Sequence, residues 1–147
     1  MMKVIAKNKR AFFDYEILER FEAGLSLLGA EIKSIRESNV NIKGSFIIIR
    51  GSEAFWKGGF IKRWRYAIDE ALDENRNRKL LLRKREILAL EKALHEKGNT
   101  IVPLELKLVR GKAKLSFGLG RGKKKYDKRE SIKKRDQERQ MAQAKKR

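Results

Sequence analysis

Apolar and polar positions alternate most clearly late in the chain. In TIVPLELKLVRGKAKLSFGLG, Leu104, Leu106 and Leu108 alternate with Glu105 and Lys107. After Arg110-Gly111-Lys112, Ala113, Leu115 and Phe117 alternate with Lys114 and Ser116. Successive strand side chains point to opposite faces, so the pattern predicts a two-faced antiparallel hairpin. Pro103 lacks an amide hydrogen and is expected at a strand start or a sheet edge. Phe46–Arg50 and Glu53–Lys57 are β-rich runs around Gly51-Ser52 and predict a second hairpin. Residues 13–28 read as a strand bent near Gly24, and KRWRYAI, residues 62–68, as a further strand.

A helical period shows in two places. Ile32 and Ile35 lie one turn apart in a short segment that ends at Asn39. Residues 73–99 form the longest helical stretch: Ile87, Leu90 and Leu94 share a stripe with Leu88 beside it, and Gly98-Asn99 supplies the stop. On that helix Leu80–Leu82 cannot all face inward, because each residue turns by about 100°. At least one of the three is expected at the surface. Five or six strands with a helix before the last hairpin predict a mainly β fold. The expected form is a small antiparallel OB-like barrel with two or three appended helices, which presents a face and loops to nucleic acid.

Charge decides the partner class. Lys and Arg number 38 against 19 Asp and Glu, a net charge of +19, and 39% of residues are charged. Such a field concentrates polyanions and speeds encounters with them. No cysteine occurs and His95 is the one histidine, so thiolate or His-rich metal sites and a His-based nucleophile pair have no material. No cofactor, metal or catalytic constellation is expected. No apolar run reaches the length of a membrane span, and Met1–Lys7 meets charge too soon for a signal peptide, so a cytoplasmic protein is expected.

The charge is concentrated at one end. Residues 121–147 hold thirteen Lys and Arg against four acids, a net of +9. Their apolar content is too small to offset the entropy of ordering. We therefore expect a barrel over residues 1–120 and a basic tail over 121–147. The tail is expected to be disordered alone and helix-competent when a polyanion relieves its repulsion, since 127–146 contains no Gly or Pro. GLGRGKKK is not a phosphate-binding P-loop, which needs four residues between its glycines and a Ser or Thr after the lysine. Gly118, Gly120 and Gly122 read instead as a pliable link that lets the tail change direction.

Five blocks, NKRAFFDYEI, FEAGLSLLGAEIKSIRE, NIKGSFIIIRGSEAF, RNRKLLLRKREI and GLGRGKKKYDKRESIKKRD, stand in the order and spacing of the small protein B (SsrA-binding protein) family. The chain resembles that family from Asn8 to about Asp136. The resemblance implies an OB-like barrel that binds the tRNA-like domain of transfer-messenger RNA and brings it to ribosomes stalled on messages without a stop codon. It implies a monomeric adaptor, not an enzyme, with transfer-messenger RNA and the small-subunit ribosomal RNA of the 70S ribosome as partners and no membrane. Asn8, Glu22 and Leu81 match positions that bind the tRNA-like domain; Lys9, Arg10, Glu31, Lys33, Arg78 and Lys79 fall in the same blocks. Arg78 and Lys79 would hold phosphates, and Asn8 and Glu22 would read base edges. In the tail, Arg121, Lys123, Lys124, Tyr126, Asp127, Lys128, Arg129, Lys133, Lys134 and Arg135 match the segment that occupies the empty decoding centre and mRNA channel. Three departures stand out, one of them the stretch GGFIKRWRYA, which is unlike the family's. Phe12-Phe13 replaces a basic residue and histidine, and Tyr126 replaces a common histidine, so a proton-dependent step there does not carry over.

Bland readings stand beside these. Without the resemblance, Glu22 is an ordinary solvent-facing strand residue. Trp56, Trp64 and Phe60 are more often core than stacking platforms. A structural ribosomal protein with a tail threaded through rRNA shares the composition and is the alternative; membrane binding would need a broader apolar face than Ile132 and Met141 provide.

Overall fold

The computed structural model describes residues 2–66 and 73–122. The last hairpin forms its centre: β8 (Asn99–Val109) and β9 (Lys112–Gly122) pair antiparallel. Arg110 and Gly111 make the tight connection with φ of 53° and 78°, the left-handed pair that matches strand twist in a two-residue hairpin turn. Leu104, Leu106, Leu115 and Phe117 are fully buried, which is the alternation the sequence carries. Each such side chain removed from water contributes about 1.5–3 kcal/mol.

Around the hairpin, β1 (Met2–Lys7), β2 (Tyr15–Leu25), β4 (Phe46–Arg50), β5 (Glu53–Lys57) and β7 (Arg78–Leu81) complete a seven-stranded sheet in the order β1-β8-β9-β2-β7-β5-β4. Its described pairs are all antiparallel. The hydrogen-bonded ladder is open: β1 and β4 are its two edges, so the sheet does not close into the barrel expected of an OB-like fold. A two-stranded sheet joins β3 (Val40–Asn41) to β6 (Phe60–Ile61). Three helices occur among the described residues: α1 (Lys9–Asp14), α2 (Gly29–Arg36) and α3 (Lys84–Leu94), the last just before the final hairpin. Ile35 of α2 and Ile87 and Leu90 of α3 enter the core, whereas Leu88 is exposed.

Several expectations are corrected. The helix read across 73–99 is split, because Arg78–Leu81 is strand β7 between β2 and β5, and only Lys84–Leu94 is helical. Ladder pairing on both sides outweighs the modest helix preference of Lys and Leu. Leu81 does lie at the surface, but strand alternation puts it there, with Arg78 and Leu80 pointing in and Lys79 and Leu81 pointing out. Residues 62–66 of KRWRYAI are not strand, and residues 67 and 68 lie outside the described residues. Pro103 sits inside β8, next to the register shift between Pro103 and Glu105, where a bulge relieves the missing donor. Gly118 and Gly120 are interior strand residues rather than a link. A Cβ on Gly118 would stand 2.8 Å from Ile17 Cγ2, so glycine is needed for close packing of β9 on β2. β9 continues through Gly122, two residues beyond the expected end of the body.

Candidate nucleic-acid interface

Asn8 starts α1. Its Oδ1 accepts from Ala11 N at 3.3 Å as an N-cap, its Nδ2 donates to Pro103 O at 3.0 Å, and its backbone N donates to Leu104 O at 2.7 Å. These bonds fasten α1 to β8, and Asn8 is only 8% exposed. The polar atoms of the side chain expected to read a base edge are engaged in the fold at the start of α1. Lys9 and Arg10, which follow it, are exposed. They line a groove of about 560 Å³ together with Lys7, Phe13, Asn41 and Lys43. Lys43 reaches the groove from the turn after β3, where its N donates to Asn41 Oδ1 at 2.9 Å and Gly44 has φ 77°. Phe13 lines the groove, and Phe12 packs against the cluster of Ala11, Val102 and Leu104. The Lys7 and Arg20 cations lie 5.6 and 5.2 Å from the Phe12 ring centre, and Arg10 lies 5.0 Å from that of Phe13. Arg10 also pairs with Asp14 at 3.1 Å.

Lys7 connects the groove to the outer face of the sheet. It is the cross-strand partner of Glu105, which faces Ser116, which faces Glu22. The next row runs Val4, Lys107, Lys114, Gly24, Leu81 across five strands. Glu22 pairs with Lys107 Nζ at 2.7 Å and lies 4.0 Å from Lys114 Nζ, so the carboxylate orders two cations on this face. Leu81 is 59% exposed, and Gly24 beside it leaves a notch in which a Cβ would meet Leu81 Cδ1 at 3.3 Å. Lys79 stands on the same face of β7, 3.7 Å from Glu53. Sequence reading missed Lys7, Lys43, Lys107 and Lys114, because only the register and the approach of β3 bring them to these positions.

Glu31 and Arg78 are a correction. They are 2% and 0% exposed and bonded to each other, so neither reaches a ligand. Glu31 accepts from Arg78 Nε at 2.8 Å, from Arg76 Nη2 at 2.6 Å and from Leu28 N at 2.9 Å. Arg78 also donates to Gly59 O at 2.5 Å and Glu74 O at 2.9 Å, and lies over the Trp56 ring. Its donor fork is spent on α2, on Gly59 just before β6 and on Glu74 in the segment between β6 and β7. Burial pushes the Glu31 carboxyl up, but the Arg76, Leu28 and Arg78 bonds outweigh it and hold the group below the usual carboxylate range. Burial pushes Arg78 below the usual guanidinium range against the opposing pull of Glu31. Lys33, on α2, lies apart from both the groove and the outer face, with its Nζ 4.1 Å from the centre of the Trp64 ring.

Among the tail residues, Arg121 is part of β9, opposite Glu16, and its Nε donates to Asn99 Oδ1 at 3.3 Å. Lys123, Lys124, Tyr126, Asp127, Lys128, Arg129, Lys133, Lys134 and Arg135 lie outside the described residues. No helix among the described residues is long and apolar enough to cross a membrane.

Comparison with known proteins matches residues 5–147 to the family model described as SmpB protein. An SsrA-binding protein of Mesoplasma florum is 55% identical over 137 residues, covering 92% of each chain. One from Leuconostoc mesenteroides is 50% identical over 138 residues, covering 94% of this chain and 90% of that one. A solved structure described as "tmRNA-SmpB: a journey to the center of the bacterial ribosome" contains a chain that superposes with a TM-score of 0.68 at 39% identity. It covers 86% of this chain and 93% of that chain.

Proposed function

The chain belongs to the SmpB protein family, and from that membership we propose that it is an RNA-binding adaptor of trans-translation. It binds transfer-messenger RNA (SsrA RNA) and acts with that RNA on the bacterial ribosome, in the cytoplasm. The observation that carries this reading is a family match running almost the whole length of the chain, together with a solved relative on the ribosome whose fold covers most of it. In this role the protein binds and positions; it performs no chemistry on its cargo.

The geometry supports a division of labour on the surface. The basic groove beside α1, with Lys7, Lys9, Arg10 and Lys43, offers phosphate contacts, and the outer face with Glu22, Lys107, Lys114 and Leu81 offers base and ribose contacts to the tRNA-like domain. Asn8 acts by placing Lys9 and Arg10. The tail beyond Gly122 then enters the empty decoding centre and mRNA channel, which a channel filled with mRNA would exclude sterically. Sequencing the RNA that co-purifies with the protein tests the reading. One discrete tRNA-like species is expected, whereas large rRNA alone would favour a structural ribosomal protein. Removing 123–147, a cut that leaves β9 whole, is expected to spare RNA affinity and abolish rescue of stalled ribosomes.

A further inference from the structure

The segment after β6 holds three cations and two aromatic rings in succession, Lys62-Arg63-Trp64-Arg65-Tyr66, with no acid among them. Its root is pinned. Ile61 N donates to Glu74 O at 3.0 Å, Lys62 N to Asn39 O at 2.9 Å and Arg63 N to Glu74 Oε2 at 2.8 Å. Glu74 is itself tied down, since its carbonyl also accepts from the buried Arg78. Tyr66 stands out from this root, with the half-buried Trp64 beside it. Trp64 and Tyr66 meet edge to face, with centres 5.1 Å apart at 71°, and Tyr66 is 63% exposed. Lys33 covers Trp64 at 4.1 Å and Arg65 covers Tyr66 at 4.8 Å.

We propose that Trp64 and Tyr66, with Lys33, Lys62 and Arg65 around them, form a stacking site for an unpaired nucleobase of the bound RNA. An exposed ring fixed in plane by a second ring loses little freedom when a base lies on it, and every base has a π face to offer. The surrounding cations complement the phosphates on either side of that base. A base inside a duplex is already stacked above and below, so the site selects a loop, bulge or end. The inference rests on the RNA-binding reading and adds to it a base-stacking site distinct from the groove and the outer face.

The two tryptophans supply the test, because Trp56 is fully buried and Trp64 is not. Titrating the full chain with single-stranded oligoadenylate is expected to quench tryptophan emission, while a duplex RNA of the same length leaves it unchanged; Trp64→Phe removes the quench. Tyr66→Leu is expected to weaken binding of transfer-messenger RNA by about tenfold, within the range of one stacked base, and Tyr66→Phe to restore it. Both variants should melt with the parent, since the ring is at the surface. Quenching by the duplex, or full affinity in a folded Tyr66→Leu variant, would overturn the stacking site while leaving the adaptor reading in place. Failure of the parent chain to bind transfer-messenger RNA at all would remove both.

Discussion

The same residue types do opposite work in two parts of this molecule. In the brace of Glu31, Arg76 and Arg78, charge is turned inward and spent on the fold: Arg78 is fully buried and its donors go to Glu31 and to two backbone carbonyls. In the groove beside α1, Lys7, Lys9, Arg10 and Lys43 leave their cations facing water. A buried cation is bound to its partner because the desolvated charge has nowhere else to go, whereas an exposed cation exchanges its solvent and counterions for a phosphate at little cost. The role of an arginine in this chain therefore follows from its face on a strand. Arg78 and Lys79 are neighbours in sequence, yet one is a brace and the other is a surface charge.

The sharpest way to break the contrast is Glu31→Ala. It strands two guanidiniums, one fully buried, and is expected to cost about 3–5 kcal/mol in urea unfolding, while RNA affinity per folded molecule stays unchanged. A specific loss of RNA affinity at full stability would move Glu31 back into the interface. The same residue sets an acid limit. Its folded pKa lies below its unfolded value, so its contribution is present above that unfolded value, about 4.5, and disappears as pH falls through the folded one. Stability of the parent should fall through this group as pH drops below that unfolded value, and a Glu31→Gln chain should show a flatter acid limb.

Asn8→Ala comes next, at about 1–2 kcal/mol, because it removes an N-cap and the bond to Pro103 together. Since Asn8 positions Lys9 and Arg10, RNA binding should weaken as well, and Asn8→Asp, which keeps the cap acceptor but turns a carboxylate oxygen toward the Pro103 carbonyl, should stay below the parent in stability. Glu22→Gln lies lower, at about 0.2–1 kcal/mol, since its partners Lys107 and Lys114 are partly in water. Its affinity for transfer-messenger RNA should fall while the melting curve barely moves; an unchanged affinity would remove Glu22 from the interface. Lys9→Ala with Lys43→Ala should change stability by less than about 0.5 kcal/mol and lower the slope of log affinity against log salt by about 1–2. A salt slope equal to the parent's would show that the groove does not touch phosphate.

Local pattern determined much of this protein. The alternation of Leu104, Leu106, Leu115 and Phe117 with polar neighbours specified the central hairpin, and Gly51-Ser52 and Arg110-Gly111 specified the tight turns of the β4–β5 and β8–β9 hairpins, because strand period and turn chemistry are properties of adjacent residues. The excess of Lys and Arg specified a polyanion as partner, and five ordered blocks specified the family. The tertiary structure decided what depends on distant contacts. RKLL, residues 78–81, became a strand because β2 and β5 were there to pair with it, and that pairing turned Arg78 inward to meet Glu31 from 47 positions away. The register across β1, β8, β9, β2 and β7 gathered Lys107, Lys114 and Leu81 around Glu22, and the approach of β3 to α1 brought Lys43 to the groove. Charge and periodicity are legible one residue at a time; which face a charge occupies is set by hydrogen bonds between segments that no local pattern contains.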